Sequence, residues 1–143
     1  MVRFARLAHP IIVVAFLVCG VVQVFLAGLG VFDDPRAFVT HREFGYLFGW
    51  LTLVILVLAL VGREPRRITG LSALLLLLFA LQSVFVALRA DMPAVAALHP
   101  LNGFAILAVS GITARLSWAV RREPARGRAH GPMSSPVTTP DAA

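Results

Sequence analysis

Lysine is absent from this 143-residue chain, cysteine occurs once, and no aspartate or glutamate interrupts its long apolar stretches. The lone Cys19 removes any disulfide framework and any Cys-x-x-Cys redox or metal pair, leaving a small packing residue. Without acidic side chains inside the apolar runs, the chain lacks the relay that proton- or sodium-coupled transporters use. It also has no serine–histidine–acid set, no zinc-binding helix motif and no phosphate loop, so hydrolase and ATPase chemistry has no residues to rest on.

What is present is apolar surface. Hydrophobic residues make up 59% of the chain and its mean hydropathy is +0.86, more than a soluble domain of this size can hide in one core. Four apolar stretches, at residues 11–29, 44–61, 68–88 and 95–114, each approach the ~20 residues that cross ~30 Å of hydrocarbon as a helix. The first is longer than the h-region of a signal peptide, and Phe25 stands where a cleavage site wants a small side chain, so it is expected to remain as an anchor.

All thirteen basic residues are arginine, and they cluster on alternate sides of the spans. Arg3 and Arg6 precede span one; Arg63, Arg66 and Arg67 separate spans two and three; Arg115, Arg121, Arg122, Arg126 and Arg128 lie at or after span four. In the other two loops Arg36 and Arg42 are outweighed by Asp33, Asp34 and Glu43, and Arg89 is balanced by Asp91. Basic flanks stay in the cytoplasm, which predicts a multi-pass protein of the bacterial cytoplasmic membrane with both termini inside. The arginines are spread over membrane flanks, so the lipid bilayer and not nucleic acid is the expected partner. Loops of about fourteen, six and six residues join the spans, and short connections make sequential helices antiparallel. The expected fold is all-α, an up-down-up-down four-helix bundle over residues 1–120. Residues 121–143, rich in Arg, Pro, Ser and Thr, are expected to form a disordered cytoplasmic tail.

The chain also resembles itself. Gln23-Val24-Phe25-Leu26-Ala27 in span one has a counterpart in Gln82-Ser83-Val84-Phe85-Val86-Ala87 in span three. His41 precedes Gly45 by four residues, as His99 precedes Gly103. The offsets, 59 for the glutamines and 58 for the histidines, agree closely enough to predict two repeated helical hairpins about a pseudo-two-fold axis along the membrane normal. Chance similarity in an alanine- and leucine-rich chain is the competing explanation.

His41 and His99 are the leading site candidates. Both fall at one depth on one side, on the second and fourth helices, which are diagonal in a bundle and can present inward side chains to one another. A square-planar cofactor takes its two axial ligands in that way. Residues i and i+4 share a helix face, so Gly45 and Gly49 lie below His41 and Gly103 below His99, leaving side-chain-free surface under each ligand. The plainer readings are that Gly45-x-x-x-Gly49 is a close-contact seam and that each imidazole bonds water, a headgroup or a backbone carbonyl. His99, before Pro100, also suits a helix start. Arg42, like Arg36 and Arg89, stands where haem propionates would point; Asn102 can orient a ligand or bond between helices; Gln23 and Gln82 are the main polar side chains deep in spans one and three. Phe44, Tyr46, Trp50, Phe85 and Phe104 can line a ring or simply pack, Trp118 marks an interface, and His9 and His130 are set apart from the site.

His-Arg-x-x-Gly at residues 41–45, running into an apolar helix, with a second histidine opening the fourth helix, resembles one four-helix half of haem A synthase. The likeness covers about residues 10–117 and implies His41 and His99 as axial ligands. It departs from that family in having one bundle where the family has two, and in carrying Phe38, Val39 and Thr40 where the family places an acidic residue before the first histidine. His-Arg-Glu-Phe-Gly-Tyr-Leu at 41–47 and Leu-His-Pro-Leu-Asn-Gly at 98–103 are more similar to a group of small, uncharacterised four-span bacterial membrane proteins. The leading functional expectation is therefore a b-type haem between His41 and His99, serving electron transfer or redox sensing with a redox partner or membrane complex. A cofactor-free scaffold or accessory subunit, and a binder of quinone or a lipid-like ligand, are the alternatives.

Overall fold

The computed structural model describes residues 1–122. Four long helices, α1 (Val2–Phe32), α2 (Ala37–Val61), α3 (Arg66–Ala87) and α5 (Leu98–Arg122), are joined by short turns, with a single helical turn, α4 (Pro93–Ala96), leading into α5. All four long helices are apolar enough to cross a membrane, the last together with α4. Each of α1 and α3 packs on both α2 and α5, which leaves α2 and α5 diagonal in an antiparallel four-helix bundle. Most large apolar side chains point outward, Leu47, Phe25 and Leu101 being 71%, 64% and 64% exposed. Such faces require lipid around them. The chain is a multi-pass membrane protein.

Two helices are longer than their apolar runs. α1 begins nine residues before the expected span and runs through Pro10, and α2 begins at Ala37, so the first loop shrinks to residues 33–36. Asp34 shapes that turn: its Oδ1 accepts from Arg36 N–H at 2.9 Å and its carbonyl from Ala37 N–H at 2.8 Å. His41 consequently lies one turn inside α2 instead of opening it. α5 continues through Arg122, past the boundary expected for the tail; the rest of the expected tail lies outside the described residues.

The centre of the bundle is an aromatic and aliphatic cluster of Val13, Phe16, Phe48, Ile55, Leu75 and Ile106. Phe16, Phe48 and Phe79 meet with ring centroids 5.2–6.0 Å apart, in the tilted and edge-on geometries that ring quadrupoles favour. Three buried hydroxyls satisfy themselves on their own helices: Ser72 on Ile68 O at 2.9 Å, and Ser110 and Thr113 on Ile106 O and Val109 O at 2.7 Å. No water is available there, so those backbone bonds replace it.

Burial repeats between the hairpins with the offsets seen in the sequence. Val13 and Phe16 of α1 correspond to Ser72 and Leu75 of α3, and all four are buried. Phe48, Thr52, Ile55 and Ala59 of α2 correspond to Ile106, Ser110, Thr113 and Ser117 of α5, again all buried. The two hairpins therefore turn the same positions inward.

Candidate functional site

The histidine end of the bundle brings seven of the nine predicted site residues together: His41, His99, Gln23, Gln82, Gly45, Gly103 and Asn102. His41 and His99 face across the α2–α5 diagonal, their ring centroids 6.1 Å apart and planes inclined at 66°. Each ring is held from the preceding helix in the same way: His41 Nδ1 bonds Gln23 O at 3.1 Å, and His99 Nδ1 bonds Gln82 O at 3.4 Å. A carbonyl can only accept, so Nδ1 carries a proton in both rings, and in the neutral form of each the lone pair lies on Nε2. Among the described residues no hydrogen bond engages either Nε2. A backbone bond at one ring nitrogen that frees the other is the arrangement metal-ligating histidines adopt.

The glutamines do more than supply carbonyls. Gln23 Nε2 donates to His41 O at 2.9 Å, closing a reciprocal pair, and its amide lies over Gly45, where a Cβ would approach Nε2 to 2.5 Å. Gln82 lies similarly over Gly103, at 3.5 Å. Asn102, buried, donates to Gln82 Oε1 at 2.7 Å and to Leu78 O at 2.8 Å, so Gln82 is tied from both ends. Gln23 has no such tie: its Oε1 is buried without a partner. Residue 44, which stands where Asn102 stands in the second hairpin, is phenylalanine.

The remaining candidates are placed differently. Gly49 lies deeper, and its space is filled by the Phe79 ring, which makes it a helix-contact position in this structure. Arg42 is exposed and lies 3.9 Å from Glu43, while Arg36 pairs with Asp34 at 2.9 Å. Tyr46, Trp50 and Phe104 are 59%, 71% and 61% exposed and turn toward lipid, leaving Phe44, which stacks on Phe48 at 5.3 Å, closer to the core. Phe38 adds an edge contact to His41 at 6.4 Å and also covers Gly30.

Whether these residues suit a haem depends on donors and on room. The donors suit it: two imidazole lone pairs on diagonal helices are what a six-coordinate haem iron takes. Room is available only if the amides over Gly45 and Gly103 move aside. The amide of Gln23, with one side-chain bond and an orphaned oxygen, has the less to lose. A closed all-protein metal site is not built, since no group of three or more His, Cys, Asp or Glu side chains gathers among the described residues.

Residues 23–89 match the model of a family of unknown function (DUF6220). The match agrees with the expected likeness to an uncharacterised family. It takes in Gln23, His41, Gly45, Gly49 and Gln82 and stops before His99, Asn102 and Gly103. No curated protein and no solved structure matches the chain.

The DUF6220 segment also contains Glu64 and Ser72, which belong to a second polar cluster, at the arginine-rich end, that sequence reasoning missed. His9 is fully buried there. The Ser72 hydroxyl gives its proton to Ile68 O and so accepts from His9 Nε2 at 3.1 Å, while the Ser117 hydroxyl donates to His9 Nδ1 at 3.2 Å. Beside it Arg121 pairs with the Glu64 carboxylate at 2.5 Å and donates to the carbonyls of Ser117 and Arg6. The Arg6 carbonyl needs that donor because Pro10, one turn on, has no N–H to give it. Arg6 in turn donates to Gly62 O at 2.7 Å and Arg63 O at 3.3 Å. One signal was legible: Ala5, His9, Val13, Phe16 and Gly20 recur every three or four residues, so the core face of α1 runs unbroken through Pro10.

Proposed function

We propose that this small membrane protein binds a b-type haem at its histidine end, with His41 and His99 as axial ligands, and serves electron transfer or redox sensing. The observation that carries the reading is the matched pair of imidazoles. Each is oriented through Nδ1 by a glutamine carbonyl and keeps Nε2 free, and the rings stand 6.1 Å apart across the bundle. Haem bound in this way would supply a one-electron redox centre with no open coordination position, which favours electron transfer over ligand activation. The residues of the chain would hold the rings at fixed orientation and keep bulk water from the lower face through Phe44, Phe48 and Phe79. The arginine distribution supports an orientation with both termini in the cytoplasm and the histidine end outside, in a bacterial cytoplasmic membrane. A redox partner would then approach from the outer surface.

The test is an absorption spectrum of the full chain purified in detergent after expression with haem supplied. The expected result is a Soret band that is lost in His41→Ala and His99→Ala while helicity is kept. A colourless wild type would overturn the haem reading in favour of a closed, cofactor-free bundle in which the glutamine amides fill the glycine faces. A colourless protein that binds a quinone analogue, and loses it on the same substitutions, would assign the histidines to hydrogen bonding with such a ligand.

A further inference from the structure

The outward face of α5 carries a second feature, far from the histidines. Leu107, Ala108, Gly111, Ile112 and Arg115 line an open groove of about 420 Å³. Gly111 makes the groove: a Cβ there would meet nothing within 4 Å. Arg115 closes one end. It is exposed, and among the described residues it has neither an ion pair nor a side-chain hydrogen bond.

Depth makes Arg115 unusual. It precedes Arg121 by six residues, which at ~1.5 Å per residue places it ~9 Å further into the membrane than the Arg121–Glu64 pair. A guanidinium at that level is costly unless it snorkels to the interface, where lipid phosphates are its anionic neighbours. Trp118 and Arg122 lie one and two turns on along the same face, both exposed, so an aromatic and a second cation continue the groove toward the headgroup level. An apolar trough that ends in two cations at the lipid–water boundary is complementary to an acyl chain whose phosphate headgroup carries no cation of its own. A second copy of this chain fits less well: in a two-fold interface each Arg115 would face its own symmetry mate at low dielectric.

We propose that this face of α5 is a binding site for an anionic phospholipid of the leaflet at the arginine-rich end. One acyl chain lies along Leu107, Gly111 and Ile112, and the phosphate sits on Arg115. Arg115 supplies charge-assisted, bidentate-capable donors, and Gly111 supplies the depth that lets a chain lie close to the helix. The site is independent of any cofactor at the other end.

The experiment is lipid retention by the intact chain, measured by native mass spectrometry during titration with phosphatidylglycerol or phosphatidylcholine. Wild type should keep one phosphatidylglycerol in preference to phosphatidylcholine. Arg115→Gln should weaken that retention about tenfold, the value of one charge-assisted phosphate contact. Gly111→Leu should weaken it with the charge intact, and Arg66→Gln, on the same side but off the groove, should leave it unchanged. Helicity measured on each variant separates lost binding from lost fold, and Arg115, being exposed, is not needed for packing. Equal retention of the two lipids overturns the proposal, as does an Arg115→Gln protein that binds like wild type. So does an Arg66→Gln loss as large as that of Arg115→Gln, which would mean general surface charge. Cross-linking of wild type into a dimer through this face, abolished by Gly111→Leu, would assign the groove to a second copy and overturn the lipid site.

Discussion

Replacing Arg121 with alanine removes three interactions at once, and the structure allows their sizes to be ordered. The largest is the pair with Glu64, whose side chain is 2% exposed while that of Arg121 is 18% exposed. Breaking a pair buried to this extent strands a carboxylate, at a cost of about 3–5 kcal/mol. The Ser117 carbonyl and the Arg6 carbonyl also lose a donor. They add less, since the Ser117 carbonyl lies within α5, where the backbone N–H four residues on can still reach it, and the Arg6 contact is exposed. Arg121→Ala should therefore destabilise the bundle by about 3–5 kcal/mol near neutral pH. Glu64→Gln together with Arg121→Ala removes the stranded charge, so the double variant should be more stable than the two single effects summed, by about 2 kcal/mol. A third substitution tests the role assigned to the Arg6 carbonyl. Pro10→Ala restores an N–H that can reach it, and should stabilise the Arg121→Ala protein by about 1 kcal/mol more than it stabilises wild type. Equilibrium unfolding in mixed micelles or bicelles, by titration with denaturing detergent or by steric trapping, measures all of these. An Arg121→Ala protein within about 0.5 kcal/mol of wild type, or Glu64 and Arg121 effects that simply add, would refute the buried-pair reasoning.

Further substitutions discriminate between glycines, turns and polar ties, each read by the same unfolding assay. Gly49→Ala drives a methyl group into the Phe79 ring and should cost about 1–3 kcal/mol, whereas Gly70→Ala, which meets open space, should change stability by no more than about 0.5 kcal/mol. Arg63 holds φ at 51°, in the left-handed region that lets Glu64 N–H reach Ala59 O at 2.9 Å, so Arg63→Gly should stabilise the protein by about 1 kcal/mol. Asn102→Ala removes two bonds to α3 and frees Gln82; at about 0.6 kcal/mol for each intramembrane bond, the loss should be about 1 kcal/mol.

The parts of this molecule that were legible in its sequence are those that lipid dictates. Apolar run length fixed the number of crossing helices, and short loops fixed their antiparallel order, because the bilayer leaves a chain few alternatives. The concordant offsets of Gln23 with Gln82 and of His41 with His99 foretold that the two hairpins share one buried register. They foretold only part of how the glutamines act: their side chains do bond between helices, but the groups that orient the imidazoles are their backbone carbonyls, which every residue possesses. The glycines below the histidines were read as open space, and the amides and Phe79 that fill it come from other helices at distances no spacing rule encodes. His9 was set apart from the site because it lies, with Arg3, Arg6 and Pro10, ahead of the apolar run at residues 11–29. The face of α1 continues through them, and Arg121, more than a hundred residues away in sequence, supplies the donor that the proline withholds.

The haem assignment is tested most directly by electron paramagnetic resonance of the oxidised, haem-supplied protein at cryogenic temperature, on the wild type and on each single histidine variant. Axial ligation by both His41 and His99 predicts a low-spin ferric signal in wild type, at one haem per chain, that converts to high spin or disappears in either His41→Ala or His99→Ala. A low-spin signal that survives both single substitutions, or a wild type that takes up no haem, would contradict it.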